Sequence, residues 1–150
     1  DNLLGLIGTE VVDGVLEVSP TVSINPSTGL RLKVSVPALD GIHLEGANHL
    51  NLRIDSAADF DLYLEGAGRV TAAGKVARLN LHSEGASTID AAELVARIVD
   101  VHIEGAGKAR VTATESLKAW IEGAGVITYS GEPKTVEKTI DGIGRIKKVD

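Results

Sequence analysis

"LEGAG" (64–68), "IEGAG" (103–107) and "IEGAG" again (121–125) decide how this chain reads, with "LEGAN" opening at 44. Each copy places an apolar residue, an acid and a glycine in the same order. Glu-Gly pairs stand at 45/46, 65/66, 84/85, 104/105 and 122/123, and Asp141-Gly142 continues the series, at spacings of 20, 19, 20, 18 and 19. A fixed period in this range is the signature of a solenoid, in which each short unit buries its apolar face against its neighbours. Leucine-rich repeats share the period, but the asparagine pattern they need is absent here.

Outward from the corner, "DLYLEG", "DVHIEG" and "LKAWIEG" alternate apolar and polar residues, which is the two-residue period of a half-buried strand. Leu62/Leu64, Leu79/Leu81, Val101/Ile103, Ala119/Ile121 and Ile140 are expected to point inward. The glycines at Gly46, Gly66, Gly85, Gly105, Gly123 and Gly142 mark structural corners, where a positive φ and close stacking of backbones are needed. A second strand follows each corner, with Leu50, Val70, Ile89, Ala109, Ile127 and Ile146 inward. "AAELVARIVD" (91–100) could form a helix on propensity alone. Its match to "KVARLN" (75–80) favours a strand, with a bulge near Val99 for the extra residue. The expected fold is all-β: a single-stranded parallel β-helix of about six short coils.

One domain is the simplest organisation for 150 residues: a cap with entry strands over 1–40 and repeated coils over 41–150. The cap reads as a short Leu-rich turn, strands joined by an Asp-Gly turn at 13–14, a loop at "INPSTG" (24–29), then strand and proline break over 30–42. The hydrophobic fraction of 43% supplies a core, while aromatics at 3% suit flat layers filled by Val, Ile, Leu and Ala. A net charge of -6 argues against nucleic acid, whose phosphates need a basic face. The absence of cysteine removes disulfides, thiolate metal sites and a cysteine nucleophile. No apolar run is long enough to span a bilayer as a helix. A start at "DNLLG", without an initiator Met, reads as a processed or trimmed product.

Three further elements carry a resemblance: Val12-Asp13-Gly14-Val15-Leu16; Val34-Ser35-Val36-Pro37-Ala38-Leu39-Asp40-Gly41-Ile42; and Tyr129-Ser130-Gly131-Glu132-Pro133 after the fifth corner. With the repeated corners, the pattern resembles a bacterial family of unknown function, the auto-transporter adhesin head or GIN domain, across essentially the whole chain. The resemblance implies an exported envelope protein, periplasmic, outer-membrane associated or on the cell surface, with a β-helical fold and no inherited catalytic residues. Family members carry further strands before the segment matching "DNLLGLI", so the chain reads as a fragment of a longer protein. They also commonly place serine before the corner glycine, where this chain has Glu five times and Asp once.

Outward positions of the first strand bring together the residues that could carry function. His43, Tyr63, His82, His102 and Trp120 fall in one column; Glu45, Glu65, Glu84, Glu104 and Glu122 run beside it. Stacked carboxylates about 5 Å apart repel by roughly 1 kcal/mol in water and roughly 3 kcal/mol at an effective dielectric of 20. Splaying into solvent, pairing with Arg69, Lys108 or Arg145, or a bound ion would relieve them. A metal site at His82, His102, Glu84 and Glu104 would suit Zn²⁺, whereas a ladder of carboxylates alone suits Ca²⁺. Otherwise the face is a solvated polar sheet, and no cofactor is called for. Aromatics flanked by acids also fit recognition of a protein, a glycan or a second copy of the chain.

An enzyme is not expected. Parallel β-helices host carboxylate-dependent polysaccharide lyases and hydrolases, but these coils carry no long insertions to wall a cleft. Neither G-x-S-x-G nor H-E-x-x-H occurs, and "GAGKAR" (105–110) lacks the spacing of a phosphate loop. The expected role is therefore non-enzymatic: a repetitive envelope surface for adhesion, binding or assembly. The alternative is a metal-dependent carbohydrate-binding or polysaccharide-active β-helix.

Overall fold

The computed structural model describes residues 7–20 and 32–150. The chain forms two compact units, Asp1–Ser35 and Val36–Asp150. In the first, β1 (Ile7–Val12) and β2 (Val15–Pro20) pair antiparallel, with Val12 opposite Val15. Asp13 and Gly14 make the two-residue turn at φ 50° and 83°. Two successive positive φ values match the right-handed twist of the flanking strands, and Asp-Gly tolerates them. The Leu-rich turn expected at the start and the "INPSTG" loop lie outside the described residues.

The strand expected over 30–36 does not form across its described part. Residues 32–40 carry no strand, and Leu32, Val34 and Val36 are exposed despite their alternation. Alternation makes a strand only where a partner accepts its hydrogen bonds, and Pro37 withholds an N–H besides.

The second unit is a β-solenoid. β3 (Gly41–Gly105) is continuously paired strand, bent at its corner glycines, and is followed by β4 (Lys108–Gly123), β5 (Val126–Ser130), β6 (Thr135–Gly142) and β7 (Arg145–Lys148). All pairings between these strands are parallel. β4 receives β5 along its first part and β6 along its second, while β7 pairs β5. The period is near 19, but strand pairing gives about three turns rather than six. β3 runs unbroken past Gly46, Gly66 and Gly85, so the rungs stacked at those corners lie within one strand and are not counted among the pairings between strands. Residues 91–100 are strand, not helix.

Register follows the repeat: Ile103 sits beside Ile121, Glu104 beside Glu122 and Gly105 beside Gly123. The irregularity is displaced from its expected place. Val99 pairs regularly with Leu117 and is buried, whereas the register shifts between Ala91 and Val95 and again between Ala96 and Ile98. Leu94, inside the first shift, is fully buried, so the extra residues turn an apolar side chain inward.

Phe60, Leu79, Val99 and Leu117 form one inward column, and Leu62, Leu81, Val101 and Ala119 form the next, all buried. Val70, Ile89, Ala109 and Ile127 line the opposite wall. Ile140 departs from expectation at 44% exposure. It lies on β6, which pairs β4 on one side only, so no further rung covers it. Burying such a side chain is worth roughly 1.5–3 kcal/mol, and the interior rungs collect that on both faces.

The corner explains the repeat physically. Gly46, Gly66, Gly85, Gly105, Gly123 and Gly142 all have φ between 85° and 128°. A Cβ placed on any of the last five would lie 2.3–2.8 Å from the carbonyl oxygen of the glycine one rung earlier. Both the dihedral and the space demand glycine.

Candidate functional site: an aromatic and carboxylate ladder

Parallel pairing in register stacks equivalent outward residues. Asp100–Lys118–Glu137, His102–Trp120–Thr139 and Glu104–Glu122–Asp141 are side-by-side triples along β3, β4 and β6. The rings of the middle column touch over five rungs. His43 meets Tyr63 edge-on at 4.6 Å between centroids, and Tyr63 stacks on His82 at 4.8 Å with planes 5° apart. His82 meets His102 edge-on at 4.9 Å, and His102 stacks on Trp120 at 5.2 Å. Such pairs add about 0.5–1.5 kcal/mol each beyond area burial. Trp120 ends the column beside Thr139 and stays 39% exposed.

Within the carboxylate column Glu45, Glu84 and Glu104 contact the neighbouring rings. Among the described residues, Arg69, Lys108 and Arg145 make no ion pair with it. Tyr63 instead donates its hydroxyl hydrogen to Glu84 Oε1 at 2.6 Å, and His82 Nε2 lies 3.2 Å from the same oxygen. The hydrogen bond to Glu84 pushes the Tyr63 hydroxyl up to about 12, helped by partial burial and the charges of Glu84, Glu65 and Glu104. Glu84 is held below the usual carboxylate range by the Tyr63 and His82 hydrogen bonds. Lower down the column, His43 Nε2 stands 3.6 Å from Glu45 Oε1, and Glu65 completes an exposed His43–Glu45–Glu65 group.

One part of the ladder is tighter than the rest. Glu104 Oε1 lies 3.7 Å from His82 Nε2 and 3.5 Å from His102 Nε2. The donor atoms of His82, His102 and Glu104 all fall within 4.8 Å of one another. Glu84 touches this group through His82, while Glu122 stands one rung beyond it.

Beside the rings runs an open groove of about 430 Å³, lined by Asp61, Tyr63, Asn80, His82, Asp100 and His102. Asn80 donates to Asp61 at 2.6 Å, so the column two residues upstream is also knitted together. This third column is legible in the sequence as the Asp, Asn, Asp run at 61, 80 and 100, in step with the corners and flanking the rings.

A buried polar pair was missed. Ser83 occupies the inward column of Leu64, Ile103 and Ile121, and its hydroxyl bonds that of Ser87; both side chains are buried. The signal was available in "NLHSEG" (80–85), where a serine replaces the aliphatic residue before the acid.

Fold and face together define a small β-solenoid that presents an ordered polar-aromatic ladder along one side. The chain belongs to the family described as "Putative auto-transporter adhesin, head GIN domain", which matches residues 1–133. It is similar to the crystal structure of a "putative adhesin" from Bacteroides fragilis, at 26% identity and TM-score 0.73, covering 99% of this chain and 78% of that one. It also shares its fold with a "putative lipid binding protein" from Parabacteroides distasonis, at 23% identity and TM-score 0.61, covering 99% and 81%. No functionally curated protein matches the chain. No helix among the described residues is long and apolar enough to cross a membrane.

Proposed function

We propose that this chain is a non-enzymatic binding head displayed at the bacterial cell envelope, and that its ladder face contacts a basic protein surface. Membership of an adhesin-head family supports the envelope setting. The likeness to an adhesin at 26% identity supports a binding role.

The observation that carries the choice of partner is the stacking of the rings. Sugars bind aromatic side chains through the ring faces. Here Tyr63 and His82 cover each other, and His102 covers Trp120. What remains exposed is mainly ring edges, a line of carboxylates and the end of the column at Trp120. Such a surface suits edge contacts and charge pairing with Lys and Arg of a partner, which steer association and make it salt-dependent. Trp120 is the natural anchor, because exposed tryptophans dominate interface energetics.

The test is binding of the chain to arrays of envelope, host-surface and matrix proteins and of glycans, with its mass in solution measured alongside. A protein partner is expected, with affinity falling as salt rises and falling at least tenfold in Trp120→Ala, a loss of about 1.4 kcal/mol or more. A glycan hit would overturn the choice of partner. Undiminished binding by Trp120→Ala and by Glu65→Gln/Glu122→Gln would move the site to another face.

A further inference from the structure

We propose that His82, His102 and Glu104 form a site for one divalent transition-metal ion of the Zn²⁺ class on the outer face of the solenoid. This inference is independent of the partner suggested above. Tetrahedral Zn²⁺ binds imidazole nitrogen and carboxylate oxygen at about 2.0–2.2 Å, which sets neighbouring donor atoms about 3.3–3.5 Å apart. Glu104 Oε1 already stands 3.5 Å from His102 Nε2 and 3.7 Å from His82 Nε2. The 3.7 Å edge to His82 has to close by a few tenths of an ångström, and the edge between the two imidazoles, within 4.8 Å, has to close as well. These residues sit on two adjacent rungs whose backbones are held by the ladder, so small side-chain rotations suffice.

A second observation points the same way. His102 Nε2 is shut off from solvent and has no hydrogen-bond partner. A buried polar atom normally finds one, and leaving it without costs stability. Its position facing Glu104 Oε1 is where a cation would satisfy both atoms. Its nearest partner is Glu104 Oε1 at 3.5 Å, which makes no hydrogen bond with it and pairs with it only if the imidazole is protonated.

The surroundings complete the site. Glu84 Oε1, 3.2 Å from His82 Nε2, stands outside this group of three and adds a negative charge beside it. Tyr63 donates to that same oxygen at 2.6 Å and so holds it in place. Two imidazoles with carboxylates select a borderline ion such as Zn²⁺, Ni²⁺ or Cu²⁺ over Ca²⁺, which prefers six to eight oxygens. The exposed group His43, Glu45 and Glu65 offers one imidazole, and its side chains stand more open to solvent. It is not proposed as a site.

Trp120 reports on the site directly, because its ring stacks on His102 at 5.2 Å and it is the only tryptophan. Titrating the chain with CuCl₂ or NiCl₂ should quench its fluorescence saturably at one ion per chain. ZnCl₂ should displace the quencher, and CaCl₂ should not. Zn²⁺ at a hundred times its dissociation constant should raise Tm by about 5–10 °C. His102→Ala and Glu104→Gln should each weaken binding at least tenfold, while His49→Ala leaves it unchanged. All three side chains lie outside the core, and circular dichroism checks that the fold persists. Non-saturating quenching, equal Ca²⁺ binding, or full affinity in Glu104→Gln and His102→Ala would each overturn the site. Ion binding is read without any partner, so its failure and that of the binding-head reading are separable.

Discussion

Replacing Gly142 by alanine should destabilise the solenoid more than replacing Gly46, although both sit on terminal rungs of the same corner column. Gly46 has φ 85° and Gly142 φ 128°, so either alanine enters a backbone region that L-residues avoid. That strain is about 1–3 kcal/mol, offset by about 0.4–1 kcal/mol from the stiffer unfolded chain. The two differ in space. At Gly46 nothing lies within 4 Å of the added Cβ, whereas at Gly142 it would stand 2.3 Å from the Gly123 carbonyl oxygen. The cause is chirality. At the last five corners the L-Cβ points toward the preceding rung, and among the described residues no glycine corner precedes Gly46. Relieving the overlap adds about 1–3 kcal/mol, as overpacking does. Gly46→Ala should therefore cost about 0–2.6 kcal/mol and Gly142→Ala about 1–3 kcal/mol more than that. Gly105→Ala, with 2.6 Å to Gly85 O and rungs on both sides, should cost at least as much as Gly142→Ala. Urea unfolding followed by far-UV circular dichroism measures all three. Equal losses at Gly46 and Gly142 would refute the claim that inter-rung contact, beyond dihedral strain, keeps the corner glycine.

Ser83→Ala should cost about 1–3 kcal/mol by stranding the buried Ser87 hydroxyl; the Ser83→Ala/Ser87→Ala double variant should recover most of it, and a double-mutant cycle in urea reads the coupling. Tyr63 should ionise near 12, later than a free tyrosine. Because its folded value is raised, its contribution to stability is full below about pH 10 and is lost as pH climbs through 12. Absorbance at 295 nm, compared with Tyr63→Phe, checks this, and ionisation near pH 10 would contradict the Glu84 bond. Glu115 is held below its usual 4.5 by hydrogen bonding to Arg97, whose Nε and Nη2 reach its two oxygens at 2.8 and 3.0 Å. The lowered value means its contribution is present above the ordinary carboxylate range and fades as pH falls through the native one. The stability gap between wild type and Glu115→Gln should therefore be small, present at neutral pH and gone in acid.

The repeat was legible because a solenoid writes its geometry into the period. Each rung must place an apolar pair, an acid and a corner glycine at the same height, so the spacing of Glu45, Glu65, Glu84, Glu104 and Glu122 announces parallel strands in register. The alignment of His43, Tyr63, His82, His102 and Trp120 on one face follows from the same count. Tertiary structure decided what no period contains. Where extra residues enter a coil depends on which side chain can fill the interior, so Leu94 rather than Val99 marks the shift. Whether an inward residue is buried depends on a neighbour being present, so Ile140 is left open beneath an uncovered rung. Ring orientation and the convergence of His82, His102 and Glu104 on one point depend on side-chain rotations. The spacing of the repeat leaves those free, and contact between adjacent rungs selects them.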